Sequence, residues 1–167
     1  MNQRQQTCAF SGHRDLQPSE IPALQAKLTK EIRKLIANGV TRYIAGGAVG
    51  FDMMAAICVL NLKSQEFPHL HLTLALPCPH HYKTWGQADK QLLLHLLERS
   101  DEVVFVSTEY APGCMQKRNR YMVDRAEYLI CYRMRNSGGT AYTENYARKN
   151  GLRIHNLADH IQLQLPI

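Results

Sequence analysis

Arg42-Tyr43-Ile44-Ala45-Gly46-Gly47-Ala48-Val49-Gly50-Phe51-Asp52, running on into Met53-Met54-Ala55-Ala56-Ile57-Cys58-Val59-Leu60, is the stretch that decides the fold. An apolar β-branched and aromatic run stops at paired glycines, and a helix-like apolar pattern starts within five residues. A parallel strand hands over in this way to a helix whose free N–H groups face outward. Glycine there lets backbone approach a ligand closely, and the helix N-terminus favours negative charge. The expectation is a phosphate-bearing ligand at Gly46, Gly47 and Gly50. The turn is neither GxGxxG nor a P-loop, because no Lys-Ser or Lys-Thr follows the glycines. Asp52 would compete with phosphate for the same N–H groups, so it is expected to cap the helix or accept from a sugar hydroxyl.

Outward from this turn the chain alternates strand and helix. Strands are expected at 7–10, 41–45, 70–76, 102–106, 128–132 and 152–157. Leu24, Leu28, Ile32, Leu35 and Ile36 form the apolar stripe of a first helix, with Ser19 as its N-cap and Asn38-Gly39 as its stop. Leu70, Leu72, Leu74 and Leu76 alternate in the period of a strand. Glu102-Val103-Val104-Phe105-Val106 reads as a buried strand. Further helices are expected over 89–99, 116–126 and from Thr140, as N-cap, to Asn150-Gly151. The alternation argues for a three-layer α/β/α sandwich on a mainly parallel sheet, in one domain without repeats or linkers. In an order 3-2-1-4-5 the crevice would lie between the first and fourth strands. That sets Ser11-Gly12-His13-Arg14 opposite Ser107-Thr108-Glu109-Tyr110, with both glycine-rich turns alongside.

Other loops carry candidate chemistry. Asn136-Ser137-Gly138-Gly139-Thr140 makes a second anion-accepting helix start. In Lys117-Arg118-Asn119-Arg120 the three basic side chains cannot all face one way, and Arg118 is the candidate phosphate or carboxylate clamp. Arg14 could bind phosphate and His13 could donate to a ligand or cap backbone carbonyls. Tyr82 and Trp85 could stack on a base or cover the sheet end. Cys78, His80 and His81 invite a zinc reading, but no second ligand pair is evident and no metal is expected.

The bulk composition sets limits. Apolar residues make up 45% of the 167 residues and charged residues 20%, ordinary for a globular domain. No apolar run approaches the ~20 residues of a membrane span. The first residues lack the apolar core of a secretory signal, so a cytoplasmic protein is expected. Five cysteines without CxxC spacing do not suggest a disulfide framework. A net charge of +6 favours anionic partners without choosing between small ligands and polymers.

The segments Cys8–Arg14, Gly46–Asp52, Trp85, Gly113-Cys114-Met115 through Arg118-Asn119, Tyr121–Asp124 and Gly138–Thr140, in this order, resemble the YpsA-like branch of the SLOG superfamily. The resemblance covers roughly residues 7–157. It implies a Rossmann-like fold and a nucleotide-derived ligand. The superfamily also includes the LOG phosphoribohydrolases and the DNA-processing DprA proteins. LOG enzymes release a base from a nucleoside monophosphate, using an arginine in Met-x-x-Arg-Lys and a glutamate after PGGxGTxxE. Met115-Gln116-Lys117-Arg118-Asn119 keeps the arginine and replaces the lysine. The second motif is shortened to Ser137-Gly138-Gly139-Thr140, so the glutamate position holds Thr143 and Glu144 comes one residue late. One residue on a helix turns a side chain by about 100°.

Three readings follow. The first is a binding module for a nucleotide or NAD/ADP-ribose-like ligand, perched on Ser11, Gly12, His13, Arg14, Gly46, Gly47, Gly50, Asp52, Ser107, Arg118, Gly138, Gly139 and Thr140. The second is an N-glycosidase with Arg118 and Glu144 as catalytic residues. The third is a DprA-like single-stranded DNA binder. No separate cofactor and no membrane partner is expected, and a homo-oligomer is left open.

Overall fold

The computed structural model describes residues 1–158; the domain expected over 1–167 extends past them. The elements in chain order are β1 (Thr7–Gly12), α1 (Ile21–Ala37), β2 (Arg42–Ala45), α2 (Phe51–Gln65), β3 (His71–Leu76), α3 (Gln87–Arg99), β4 (Glu102–Phe105), α4 (Cys114–Asp124), β5 (Tyr128–Tyr132), α5 (Gly139–Lys149) and β6 (Arg153–Asn156). All strand pairs are parallel, in the order β4-β3-β2-β1-β5-β6. This is the expected three-layer α/β/α architecture.

Strand alternation divides the core. Cys8 and Phe10 on β1, with Leu72, Leu74 and Leu76 on β3, point to the side that α1, α2 and α3 cover. Ala9, Ile44, Ala75 and Leu129 point the other way, toward Met122 and Val123 of α4 and Ala147 of α5. Helix α2 is apolar on nearly every face, as a helix enclosed on all sides must be. No helix among the described residues is long and apolar enough to cross a membrane.

The strand order corrects the sequence reading. β4 does not return to β1 but adds outside β3, in register Leu76↔Phe105. Helix α4 then crosses back over β3 and β1 to deliver β5 beside β1, in register Gly12↔Tyr132. The order therefore reverses between β1 and β5, which puts the loop after β5, not the loop after β4, opposite Ser11–Arg14. β4 is an exposed edge, not a buried strand.

Helix starts differ in detail too. A single 3-10 turn, Pro18–Glu20, precedes α1, so Ser19 lies inside that turn and Glu20 is the N-cap. Gly138, not Thr140, is the N-cap of α5.

Candidate functional site

A cavity of about 440 Å³ opens at the carboxyl ends of β1 and β5, the size range of small-molecule sites. Five chain segments build it, and they differ sharply in how much of their backbone is free.

The loop after β1 is locked to the start of α2. A Cβ on Gly12 would fall inside the Phe51 ring, which is fully buried. The Phe51 N–H donates to the His13 carbonyl at 3.1 Å. Gly50 has φ +91°, and a Cβ there would come within 2.5 Å of the Arg14 carbonyl oxygen. His13 is buried, and its Nε2 accepts from the Met134 N–H at 2.8 Å. The neutral ring therefore carries its proton on Nδ1. Burial, and next the Arg135 charge, lower its pKa. His13 thus ties β1 to the loop after β5 by accepting a backbone N–H. The Arg14 guanidinium lies 5.9 Å over the Trp85 ring.

The turn after β2 is closed on itself. A Cβ on Gly46 would come within 2.6 Å of Asp52 Oδ2 and 2.9 Å of Arg118 Nη1. One on Gly47 would meet Leu76 Cδ2 at 2.5 Å. The Met53 N–H donates to the Ala48 carbonyl at 3.3 Å, and an Ala48 N–H bond supports the Asp52 carboxylate. These glycines are required by the protein's own packing. Gly46, Gly47 and Gly50 lie outside the cavity lining, whereas Ala48 and Asp52 belong to it.

Beneath the cavity sits a buried polar cluster. Arg118 is 5% exposed. Its Nη1 donates to the carbonyl oxygen of Gly46 and, at 3.4 Å, to that of Ala75, while Nε donates to Asn119 Oδ1 at 2.8 Å. The guanidinium therefore clamps the ends of β2 and β3 as well as facing the cavity. Asp52 is 7% exposed. Burial pushes its carboxyl up to about 6, against the pull of Arg118. His81, packed edge-on against Trp85 and Tyr82, has both ring nitrogens buried without a well-aligned partner. The nearby Cys78 and Gly47 carbonyls only partly offset its burial and the Arg118 charge, and the ring is held down at about 4. At neutral pH the His81 ring is therefore neutral, with one N–H and one lone pair. Among the described residues no group of three His, Cys, Asp or Glu side chains is placed to hold a metal ion.

The start of α5 is open. Gly138 has φ +92°, and the first helical bond runs from the Tyr142 N–H to the Gly138 carbonyl at 3.0 Å. Among the described residues, no protein acceptor receives the N–H groups of Gly139, Thr140 or Ala141. A Cβ on Gly138 or Gly139 would meet nothing within 4 Å. Ser137, Gly138, Gly139 and Thr140 all line the cavity. At the mouth, Arg135 grips the Asp15 carboxylate with two hydrogen bonds, of 2.7 and 3.2 Å. The Arg135 bond holds that carboxyl down at about 2.

Of the residues singled out from sequence, Ser11, Gly12, His13, Arg14, Asp52, Arg118, Gly138, Gly139 and Thr140 meet in this cavity. Ser107 does not: it follows the edge strand β4 and accepts from Lys117 Nζ at 3.4 Å. Glu144 does not line the cavity either. It is buried, with one carboxylate oxygen bonded to Arg133 Nε and the other to Arg148 Nη2 at 2.8 Å. Arg135 and Asp15 were missed, although their opposite charges beside the two named loops are the signal a correct strand order would have exposed. His81 was weighed only as a zinc ligand.

A parallel α/β sandwich with a ligand-sized cavity at the point of strand-order reversal is a Rossmann-like binding fold. The chain belongs to the YpsA family: the model described as the YspA SLOG family matches residues 11–163. It is 33% identical over 142 residues to the uncharacterized SPbeta prophage-derived protein YoqJ of Bacillus subtilis, covering 77% of this chain and 82% of that one. It is 26% identical over 132 residues to the UPF0398 protein BH1768 of Halalkalibacterium halodurans, covering 77% and 69%. Among solved structures, the DNA processing protein A of Helicobacter pylori, described with a single-stranded DNA binding mode, superposes with TM-score 0.62 at 16% identity. That match covers 89% of this chain and 63% of the other. DprA of Streptococcus pneumoniae gives TM-score 0.64 at 15% identity, covering 95% and 56%. The chain thus spans less than two thirds of either DprA protein, and the likeness is one of fold.

Proposed function

We propose that the cavity binds a nucleotide or a nucleotide-derived ligand such as ADP-ribose. The observation that carries this reading is the open start of α5, whose Gly139 and Thr140 line a cavity that Asp52 also lines. Helix N-termini of this kind receive phosphate oxygens. Asp52 as carboxylate accepts from sugar hydroxyls, and the Trp85 face and Arg14 form a platform for a base. The turn after β2, expected at first to hold the phosphate, supports the wall instead. The test is isothermal calorimetry against mononucleotides, NAD and ADP-ribose: micromolar binding to at least one is expected. Millimolar or weaker binding to all would end the proposal.

Two other readings are weaker. An N-glycosidase would have to take its carboxyl from Asp52, because both oxygens of Glu144 are engaged by arginines and the Asp15 carboxylate is held by Arg135. Release of free base from nucleoside monophosphates would favour it. Single-stranded DNA binding draws on the net charge of +6, on the likeness to DprA and on the arginines at the mouth. It requires affinity that falls steeply with salt.

A further inference from the structure

The two edges of the sheet are finished differently. On one side β6 presents exposed Arg153 and His155, and Arg153 folds over Tyr128. Charged edge residues of this kind blunt pairing with another chain. On the other side, among the described residues, β4 pairs only with β3, and its outer edge carries Glu102-Val103-Val104-Phe105-Val106. That run has no Pro, Lys or Arg, and it has the composition of a strand buried on both faces. Yet Val103 is 36% exposed and Phe105 is 49% exposed. Both lie in register with the fully buried Leu74 and Leu76 of β3. Leu94 of α3, on the same side of the sheet, is 45% exposed. A sequence made for burial thus stands at an open edge.

We propose that β4 pairs antiparallel with β4 of a second copy of this chain, joining the two sheets about a two-fold axis at Val104. Charge along the edge selects this occupant and this direction. At its start Asp101 is paired with Lys63, which leaves Glu102 as the acidic group of the edge, and Glu102 accepts from Thr73 Oγ1 at 3.3 Å on the α4 side of the sheet. The far end holds Ser107, reached by Lys117 of α4. Antiparallel pairing about Val104 sets Glu102 opposite Val106 of the second copy, one residue from Ser107 and its Lys117. On the other face the same register sets Val103 against Phe105 of the second copy, a favourable cross-strand pair. Parallel pairing would stack Glu102 on Glu102. An isologous contact of this kind closes at two chains and leaves no open edge of β4.

The pairing is independent of what the cavity binds. Sedimentation velocity on the full chain over a range of concentrations is expected to show a monomer–dimer equilibrium. Val103→Lys and Phe105→Lys, at exposed positions, are each expected to weaken association on the order of tenfold or more, with the far-ultraviolet dichroism and melting temperature of the wild type. Glu102→Lys and Lys117→Glu are each expected to shift the chain to monomer, and the double variant to restore the dimer. A wild-type chain that stays monomeric at its highest soluble concentration overturns the proposal. So does a dimer untouched by Phe105→Lys, which would place the interface elsewhere, or a failure of the charge-reversed pair to recover. A β4 edge that captures an extended peptide of another protein while the chain itself stays monomeric would likewise overturn it.

Discussion

Replacing Gly139 by alanine separates ligand binding from folding more cleanly than any other single change. Gly139 is the first residue of α5, has no positive φ, and a Cβ there meets no protein atom within 4 Å. Alanine at a helical position that tolerates it stabilises by about 0.4–1 kcal/mol, chiefly by narrowing the unfolded ensemble. The added methyl projects from the backbone proposed to accept the phosphate, whose oxygens need approach within about 2.9 Å of the N–H nitrogens. Loss of one such charge-assisted bond is worth about 1.5–3 kcal/mol, or roughly tenfold to a hundredfold in affinity. The expected signature is a higher unfolding midpoint together with weaker nucleotide binding. Its neighbours provide contrasts. Gly138→Ala forces a side chain to φ +92° and is expected to destabilise. Gly12→Ala drives a methyl into the Phe51 ring and is expected to cost about 1–3 kcal/mol or more. Chemical denaturation and calorimetry on the three variants provide both readouts. Unchanged nucleotide affinity in a folded Gly139→Ala protein would refute the placement of the phosphate. A drop in its stability would refute the claim that the space is open.

Two further substitutions test a cavity carboxylate and a buried one outside the cavity. Asp52 has its carboxyl raised from 3.8 to about 6 in the folded state, so the native protein holds this proton more tightly than the unfolded chain. Its ionisation therefore reduces stability as pH rises from about 4 to 6, by roughly 3 kcal/mol once pH 7 is reached. Asp52→Asn lacks this penalty, so the stability difference between the two proteins should swing toward the variant by that order between pH 4 and pH 7. Parallel pH profiles from urea titrations would rule the linkage out. Glu144→Gln removes the charge that two arginines share at a buried site, and a loss of about 3 kcal/mol is expected, with nucleotide affinity preserved. Affinity lost while the fold persists would put Glu144 back in the site.

The fold was legible because alternation survives any strand order. Each strand and helix named from the sequence is present, and the loops after β1 and β5 do carry the candidate residues. The strand order was not legible, because nothing in Ser107–Gly113 or in α4 says how far across the sheet the chain must travel before β5. The misplacement of Ser107 followed directly, and so did the omission of Arg135 and Asp15. The exposed β4 was hidden by its composition: Val103, Val104, Phe105 and Val106 are as apolar as the buried strand β3. Glu144 was suggested by motif spacing, yet only the structure reveals that Arg133 and Arg148 occupy both its oxygens.

The two glycine-rich turns bear the same sequence signature and have opposite duties. At Gly46 and Gly47 a Cβ would run into Asp52, Arg118 or Leu76, so glycine is there to let the protein pack against itself. At Gly138 and Gly139 the same directions are empty. The first turn satisfies its backbone internally, with the Met53 N–H on Ala48 and the Phe51 N–H on His13, and so has little left for an anion. Among the described residues, the second leaves the N–H groups of Gly139, Thr140 and Ala141 without a protein acceptor, and Gly139 and Thr140 line the cavity. Glycine content alone therefore cannot tell a support from a cradle. What separates them is whether the space beside the backbone is already taken. By that criterion the proposed phosphate would sit at α5, and the turn after β2 packs against Asp52 and Arg118, which line the same cavity.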